Sequence, residues 1–437
     1  MNLNFNDNFS GNDYIAPDYL RELQLARLQK MVHHCYANVQ LFRSRMDERG
    51  VKPQDIKTLK DINKLPFCVK TDLRDTYPFG LCAVPMSEIV RLHASSGTTG
   101  KPIVVAYTQQ DLQIWQDVMR RALCCCGLTR NDVIQVSYGY GLFTGGLGAH
   151  GGVEALGATV VPASGGNTKR QVMLIRDFGV NAICCTPSYF LHLIEQAKEL
   201  GIDLKELPIR AGVFGAEPWT QGMRERLEKG AGIEAFDIYG LSEIIGPGVA
   251  IECKEHKGLH IFEDYFYPEI IDPDTCEVLP DGETGELVLT TLSKYAMPMI
   301  RYRTRDLTRI ITEKCACGRT LRRIDRISAR SDDMFIIRGV NVFPSQVESA
   351  LLAVEGTSAN YLIKLSTSGN MDNIALDIEL AENVYAQGES IIEQVRRMVT
   401  ATVESVTGLR FKVTVVPYNS ITRSEGKAKR VLDQRQK

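Results

Sequence analysis

Residues 93–102 read His93-Ala94-Ser95-Ser96-Gly97-Thr98-Thr99-Gly100-Lys101-Pro102. Four hydroxyl side chains and two glycines stand together in this stretch, and one lysine follows them. Glycine lets the backbone approach an anion closely, and the N–H groups and hydroxyls of such a loop can surround phosphate oxygens. Because residues 89–92 favour a short strand, the stretch predicts a polyphosphate-binding loop at the end of a strand.

This loop differs from the common P-loop, which needs Gly-x-x-x-x-Gly-Lys followed by Ser or Thr. Here Pro102 follows the lysine, and Ser95 stands where the first glycine would be. The motif by itself also fits a polar surface turn. The rest of the chain has to decide between these two interpretations.

The composition is that of a globular protein with more than one domain. The chain has 437 residues, of which 44% are hydrophobic and 24% are charged, and this length exceeds one small core. A net charge of −2 offers no field that favours nucleic acid or an acidic membrane. The polar first ten residues do not resemble a signal peptide, and no apolar run is long enough to span a bilayer. We expect a cytoplasmic protein without nucleic-acid or membrane partners.

Periodicity divides the chain into a large and a small part. Helix and strand patterns alternate from residue 111 to 239, which is typical of βαβ units and a largely parallel sheet. Strands dominate residues 260–311. Beyond a boundary near 328–333 a smaller α+β unit begins, in which Ser345 and Glu348 have the spacing of a capping box. We therefore predict an α/β protein with an N-terminal domain over 1–330, containing parallel sheets and a strand-rich part, and a small mobile C-terminal domain over 333–437.

Four further segments carry polar residues typical of a binding site. Residues 214–218 (Phe-Gly-Ala-Glu-Pro) and 237–243 (Asp-Ile-Tyr-Gly-Leu-Ser-Glu) each follow a strand or end one. In open α/β sheets, ligands bind beyond the C-terminal ends of the strands. Residues 301–307 lie in the strand-rich part, and residues 422–429 lie close to the C-terminus.

Taken with residues 93–102, these segments resemble the adenylate-forming superfamily of acyl-CoA synthetases, adenylation domains and luciferases, in the same order along the chain. Residues 138–146 and 331–344 are similar to the branch that ligates phenylacetate to coenzyme A. The resemblance implies an enzyme that uses ATP and Mg²⁺ to form an acyl-adenylate, releases pyrophosphate, and transfers the acyl group to coenzyme A with release of AMP. The acid would be phenylacetate or a close arylacetate. The alternatives are another aromatic acid, or a stand-alone adenylation enzyme that loads a carrier protein.

The resemblance also implies roles for individual residues. Lys427 would be the catalytic residue, Asp332 the hinge, and Glu243 the ligand of Mg²⁺. The acyl group would lie against Tyr138, Phe143, Gly146 and Ile238. ATP or AMP would contact Ser95, Ser96, Gly97, Thr98, Thr99, Gly100, Lys101, Gly215, Ala216, Glu217, Pro218, Asp237, Tyr239, Gly240, Ser242, Asp306 and Arg330.

Several of these assignments have structural alternatives. Glu243 could cap a helix, Asp306 could form a surface salt bridge with a nearby arginine, and the basic residues after 426 could be a solvated tail. Lys429 competes with Lys427 for the catalytic role. We favour Lys427 because the lysine of the superfamily follows a glycine, and Gly426 precedes it here.

Cysteine spacing predicts a structural zinc site in the strand-rich part, over about 253–320. Cys253, His260, Cys315 and Cys317 supply three thiols and one imidazole, a set that tetrahedral zinc accepts. His256 is a competing ligand, and free thiols on a loop are the structural alternative. The remaining cysteines, such as those at 124–126 and 184–185, are expected to be buried free thiols.

Two further expectations concern cofactor class and assembly. Gly146-x-Gly148-x-x-Gly151 fits a dinucleotide fingerprint, but Gln171 stands where the acidic residue is needed, which argues against a nicotinamide enzyme. The resemblance implies a homodimer, to which residues 1–60 could contribute an arm.

Overall fold

A computed structural model of the chain describes residues 10–95, 102–327, 329–331, 333–337, 340–368, 371–424 and 427–435. Residues 96–101 of the predicted phosphate loop and the predicted hinge residue Asp332 lie outside these ranges. No helix in the described ranges is both long enough and apolar enough to cross a membrane.

The helices are α1 Pro17–Asn38, α2 Gln40–Glu48, α3 Lys70–Asp75, α4 Gln109–Cys125, α5 Thr144–Leu156, α6 Thr168–Asp177, α7 Pro187–Glu199, α8 Gln221–Ala231, α9 Pro344–Leu352, α10 Glu382–Tyr385 and α11 Glu389–Thr407. The strands are β1 Arg91–Ser95, β2 Ile103–Tyr107, β3 Val133–Val136, β4 Thr159–Val161, β5 Ala182–Cys185, β6 Ala211–Gly215, β7 Glu234–Leu241, β8 Gly246–Glu252, β9 Leu259–Ile261, β10 Phe266–Ile271, β11 Gly285–Thr291, β12 Tyr302–Thr308, β13 Ile310–Ile311, β14 Arg323–Ile324, β15 Ala329–Arg330, β16 Phe335–Ile337, β17 Val340–Val342, β18 Thr357–Ser368, β19 Met371–Leu380, β20 Lys412–Val415 and β21 Val431–Asp433.

The largest sheet of the described chain is parallel on one side and antiparallel on the other. Its strand order is β13-β14-β9-β8-β7-β6-β5-β3-β4. The five strands from β4 to β7 run parallel, and β8, β9, β14 and β13 extend the sheet in antiparallel fashion. The predicted α/β class is confirmed. Since β5, β6 and β7 are parallel neighbours, their C-terminal ends meet along one edge.

Helix α4 anchors this sheet to the strand-rich part. It begins at Thr108, whose hydroxyl accepts from Asp111 N while Asp111 Oδ2 accepts from Thr108 N, the reciprocal arrangement of a capping box. The Asp111 carboxylate also accepts from the N–H groups of Tyr295 and Ala296, at 2.6 and 3.0 Å. The segment around residue 295 is thereby held next to the sheet.

Two smaller assemblies follow. Strands β10, β11, β12 and β15 form an antiparallel sheet in which Asp306 lies opposite Arg330. After β15, the C-terminal unit pairs β20-β19-β18-β21 and packs α9 and α11 around a separate hydrophobic core.

The predicted capping box of the C-terminal unit is wrong. Helix α9 begins two residues earlier than that spacing requires, and Gln346 Oε1 accepts from Phe343 N at 3.0 Å. Glu348 is buried, and its carboxylate accepts from the hydroxyl of Tyr361 at 3.1 Å. Tertiary packing therefore uses the side chain that the local pattern assigned to the helix end.

Candidate functional site

The start of the predicted phosphate loop is tied to the glycine-rich segment 138–146. Ser95 ends β1, and its partner Ile103 opens β2, so residues 96–102 connect two antiparallel strands. The N–H of Ala94 donates to the carbonyl of Leu142 at 2.8 Å, and His93 Nδ1 lies 3.0 Å from the same oxygen. The loop that was predicted to hold phosphate thus begins beside the segment that was predicted to hold the acyl group.

The ends of β6 and β7 form the next wall of the site. Gly215 lies opposite Ile238, and a Cβ on Gly215 would stand 2.3 Å from the carbonyl oxygen of Ile238, so this position requires glycine. Ala216 has a φ of 70°, which turns the chain away from the strand and into Glu217 and Pro218. Four of the predicted nucleotide-binding residues, at positions 215–218, therefore lie at a sharp turn at the edge of the sheet.

Tyr239, Asp306 and Arg330 form one cluster. The Tyr239 hydroxyl donates to Asp306 Oδ2 at 2.6 Å, and Arg330 donates to Asp306 Oδ1 at 2.8 Å. Asp306 is 5% exposed, so the alternative of a surface salt bridge does not describe it. The cluster brings together residues that are 91 positions apart in sequence at their extremes, counted from 239 to 330.

Glu243 lies beyond the end of β7 in a polar setting. The carboxylate hydrogen-bonds with the Tyr302 side chain, and the backbone carbonyl of Glu243 accepts from Lys294 Nζ at 2.9 Å. Nearby, the hydroxyls of Ser242 and Thr144 are 2.9 Å apart, and Gly240 packs so closely that a Cβ would stand 2.1 Å from Gly246 O. A buried carboxylate beyond the end of a strand suits Mg²⁺, which prefers one or two carboxylates with phosphate oxygens.

Lys294 is a residue of this site that the sequence interpretation missed. It is fully buried, and burial lowers the pKa of its ammonium group to about 8. The signal was available, since a lysine stands here just before the apolar run Tyr295 to Ile300. Lysine is almost never fully buried without a partner, so its position in an apolar segment indicated a polar contact inside the fold.

The two candidate lysines lie in different surroundings. Lys427 is within electrostatic range of Glu243, Glu217 and Arg330. Lys429 instead lines the cleft between α7 and the C-terminal unit, together with His192. The two lysines therefore differ in their surroundings, and Lys427 is the one within range of the predicted magnesium ligand.

Aromatic rings and glycines shape the predicted acyl pocket. Tyr138 is buried, and its hydroxyl hydrogen-bonds the backbone of Gly215. A Cβ on Gly145 would stand 2.5 Å from the Phe143 ring, and one on Gly146 would stand 2.7 Å from Gly139 O. The aromatic side chains thus lie directly against glycine backbone at the entrance to α5. Ile238, the remaining predicted acyl-pocket residue, lies on β7 and is also buried.

Two residues that were predicted to bind the nucleotide use their carboxylate oxygens to accept hydrogen bonds from other protein groups. Glu217 accepts from the N–H of Ser188 at 2.9 Å and from the N–H of Ala428 at 2.8 Å. Asp237 accepts from Trp219 Nε1 at 3.0 Å and faces Arg326 at 3.5 Å. Both side chains support the walls of the site.

The four predicted zinc ligands converge. Cys253 Sγ is 3.6 Å from Cys315 Sγ, Cys317 Sγ is 3.4 Å from His260 Nε2, and all four ligand atoms lie within 4.8 Å of one another. A tetrahedral ion with Zn–S bonds of about 2.3 Å separates two sulfur ligands by about 3.8 Å. His260 Nδ1 lies 3.2 Å from the carbonyl oxygen of Leu321, the contact that orients a metal-binding imidazole.

His256, the alternative ligand, is engaged elsewhere. Its Nε2 lies 3.0 Å from Glu234 Oε1, and its Nδ1 lies 2.7 Å from Arg224. The ring also stacks on Phe236. The structure therefore groups the thiols with His260.

This fold and site are those of an adenylate-forming enzyme, and the comparisons agree. The AMP-binding enzyme family matches residues 20–293, and the AMP-binding enzyme C-terminal domain matches residues 339–435. The chain belongs to the AMP-binding enzyme family.

Among its relatives are phenylacetate-coenzyme A ligases. The chain is 52% identical to that of Pseudomonas putida, over 96% of this chain and 95% of the relative. It is 51% identical to that of Escherichia coli strain K12, over the same shares. A solved 2-hydroxyisobutyryl-CoA ligase in the postadenylation state, in complex with R3-HIB-AMP, is 30% identical and superposes with a TM-score of 0.92, covering 97% of this chain and 91% of that one.

Proposed function

We propose that this protein ligates phenylacetate, or a close arylacetate, to coenzyme A in two steps. In the first, the carboxylate of the acid attacks the α-phosphorus of ATP, which gives the acyl-adenylate and pyrophosphate. In the second, the thiolate of coenzyme A attacks the acyl carbon, and AMP leaves. The observation that carries the proposal is identity of about half the residues with phenylacetate-coenzyme A ligases over nearly the full length.

The residues of the site fit the first step without a protein nucleophile, because in-line displacement at phosphorus depends on positioning and on neutralising charge. Asp306 offers carboxylate oxygens to the ribose hydroxyls, and Tyr239 offers a ring face to adenine. Ser95 with residues 96–101 would hold the terminal phosphates. Glu243 would hold Mg²⁺, which would supply positive charge to neutralise the phosphates.

Lys427 would stabilise the first transition state. Its ammonium group faces the side of the site where Arg330 and Lys70 also contribute positive charge. Such preorganised charge acts on the α-phosphate and the acyl carboxylate as their charge redistributes. We also propose Asp332 as the hinge between the two half-reactions, since hinges are usually a few residues at the end of an element.

The pH dependence of the first step should report on Lys427. The loss of surrounding water, and then repulsion by Arg330, lower the pKa of Lys427 below the value of about 10.4 for a free lysine. The ammonium group therefore loses its proton at a lower pH than a free lysine does. We expect kcat/KM for pyrophosphate exchange to fall as pH rises through that lowered pKa. The variant Lys427→Arg, which keeps its charge, should move the fall to higher pH. Identical alkaline limbs in the two proteins would contradict this assignment.

The acyl pocket favours a flat ring. Tyr138 and Phe143 supply aromatic surface suited to a planar group, and the glycines beside them let these rings pack against the backbone. ATP–pyrophosphate exchange across a panel of aryl and alkyl carboxylates tests the proposal. We expect the highest kcat/KM for phenylacetate. Exchange with aliphatic acids alone would remove the arylacetate assignment and leave the adenylation chemistry.

We also propose that Cys253, His260, Cys315 and Cys317 hold one structural Zn²⁺. The spacing of the ligand atoms and the orientation of His260 support a tetrahedral ion. It would clamp the segment after β8 to the turn at Gly318, far along the chain. We further expect a homodimer, which sedimentation of the purified protein will test.

Substitution of one zinc ligand is expected to remove the metal and destabilise the protein. Cys317→Ser should lower bound zinc from about one equivalent to less than 0.2, because three ligands hold zinc far less tightly than four, and should lower Tm by about 5 °C or more. Metal analysis and thermal denaturation measure both effects. Cys276→Ser, at a cysteine outside the cluster, is the matched control. Less than half an equivalent of zinc in fresh, unchelated wild-type protein would count against the site.

A further inference from the structure

Arg423 joins the two parts of the chain. Its guanidinium donates to both carboxylate oxygens of Glu379, on β19 of the C-terminal unit, at 3.0 and 2.8 Å. Its Nε donates to Glu195 Oε2, on α7 of the N-terminal part, at 3.2 Å. The Glu379 side chain is completely buried, and the Arg423 side chain is 10% exposed. These are charge-assisted hydrogen bonds with little access to water.

Glu379 and Glu195 both accept from Arg423, but the two contacts respond differently to movement of the C-terminal unit. Glu379 belongs to the same unit as Arg423, so that contact persists wherever the C-terminal unit lies. Glu195 belongs to α7, whose apolar face packs in the core around β5 and β6. Any rotation of the C-terminal unit against this core therefore breaks the contact with Glu195 while keeping the contact with Glu379.

The same segment carries Lys427. Arg423 precedes it by four positions, and Ala428 follows it, with its N–H bonded to Glu217 of the N-terminal part. The segment is thus held to the N-terminal part on both sides of the lysine. The Arg423 contact is the ionic one of the two, and it lies in a cleft whose lining residues are not among those predicted to bind the nucleotide.

A related ligase is known in two arrangements. The 2-hydroxyisobutyryl-CoA ligase superposes on this chain with a TM-score of 0.92 in the postadenylation state, and of 0.72 in the thioesterification state with 2-HIB-AMP and CoA. Both comparisons cover 97% of this chain at 30% identity. The arrangement of this chain is therefore close to the first of the two.

We infer that Glu195 is a positioning residue for the first half-reaction, because its hydrogen bond to Arg423 stabilises the arrangement in which Lys427 faces Glu243. Glu195 is not among the residues predicted to contact the nucleotide or the acyl group. The inference rests on the proposed two-step function and adds to it a residue that acts on one step only. Burial raises the pKa of Glu195, but the nearby His192 and the hydrogen bond and charge of Arg423 outweigh this and lower it, so the carboxylate is charged at neutral pH.

Two half-reactions measured separately test the inference. ATP–pyrophosphate exchange with phenylacetate reports the first step, and thioester formation from synthetic phenylacetyl-adenylate and coenzyme A reports the second. We expect Glu195→Gln to lower exchange three- to tenfold and Glu195→Lys, which repels Arg423, to lower it further. Thioester formation should stay within twofold of wild type. Glu199→Gln, one turn along α7 at an exposed carboxylate bonded to Gln196, is the matched control and should change neither rate.

Hydrogen–deuterium exchange provides a readout that does not depend on activity. Peptides that cover residues 421–430 should exchange faster in Glu195→Lys than in wild type. Three results would overturn the inference. They are ATP–pyrophosphate exchange within twofold of wild type in both Glu195 variants, equal losses in the two half-reactions, and deuterium uptake unchanged from wild type. If wild type itself shows no pyrophosphate exchange, the proposed function fails, and the deuterium uptake still decides whether Glu195 holds the segment.

Discussion

Lys427→Ala is expected to lower ATP–pyrophosphate exchange by about 10²–10³-fold, the loss that follows removal of one preorganised charge-stabilising group from an active site. The reason is positional. Lys427 has Glu243 and Arg330 within electrostatic range, so its ammonium group can act on the phosphate charge that Glu243 is proposed to face through Mg²⁺. Thioester formation from synthetic phenylacetyl-adenylate should remain within threefold of wild type, since that step forms no bond to the α-phosphate.

Lys429→Ala is the matched control for this experiment. Lys429 lies two residues away, carries the same charge, and faces the cleft beside α7 instead of Glu243. We expect its exchange rate to stay within threefold of wild type. The reverse result, with exchange kept in Lys427→Ala and lost in Lys429→Ala, would transfer the catalytic role to Lys429.

Asp306→Ala is expected to weaken ATP binding about 100-fold and to destabilise the fold. The carboxylate accepts from Tyr239 and Arg330, and its loss leaves the arginine without this partner in a largely buried position. Removing one partner of a buried pair costs about 3–5 kcal/mol. Because 27% of the Arg330 side chain is exposed to solvent, we expect a smaller loss in the free energy of unfolding, of about 2–3 kcal/mol. Titration calorimetry with ATP and denaturant unfolding measure the two effects.

Asp306→Asn separates binding from folding. It preserves the shape and an acceptor for the Tyr239 hydroxyl but removes the charge that pairs with Arg330, so a smaller loss of stability is expected together with at least tenfold weaker ATP binding. Asp325→Asn, in an exposed pair with Arg309, should leave both quantities close to wild type. An Asp306→Ala variant that binds ATP as tightly as wild type would refute the role of Asp306 in the nucleotide site.

Local sequence pattern predicts helices and strands well where the apolar residues of the pattern are also the buried ones. Continuous apolar runs at residues 182–185 and 335–337 favour strands, and strands β5 and β16 have these bounds. Helix α5 is poorly indicated by local pattern, since its glycines lower helix propensity. The fold explains those glycines, because a Cβ on Gly148 would stand 2.4 Å from the Trp115 ring and one on Gly152 would stand 2.3 Å from Met119 Cβ. Close packing of α5 on α4 overrides the local preference.

The motifs, with their residue types and order, were sufficient by themselves to predict the family, the reaction class and the candidate ligands of zinc, magnesium and nucleotide. The sequence favoured His260 over His256 and Lys427 over Lys429, and only the tertiary structure shows the surroundings of each: His260 lies with the thiols, and Lys429 lines a separate cleft. The contacts of Lys294 and Glu195 also emerged only there. The physical reason is that side-chain chemistry is a property of each residue, whereas distance, burial and opposing charge arise only when segments far apart in sequence meet in the folded protein.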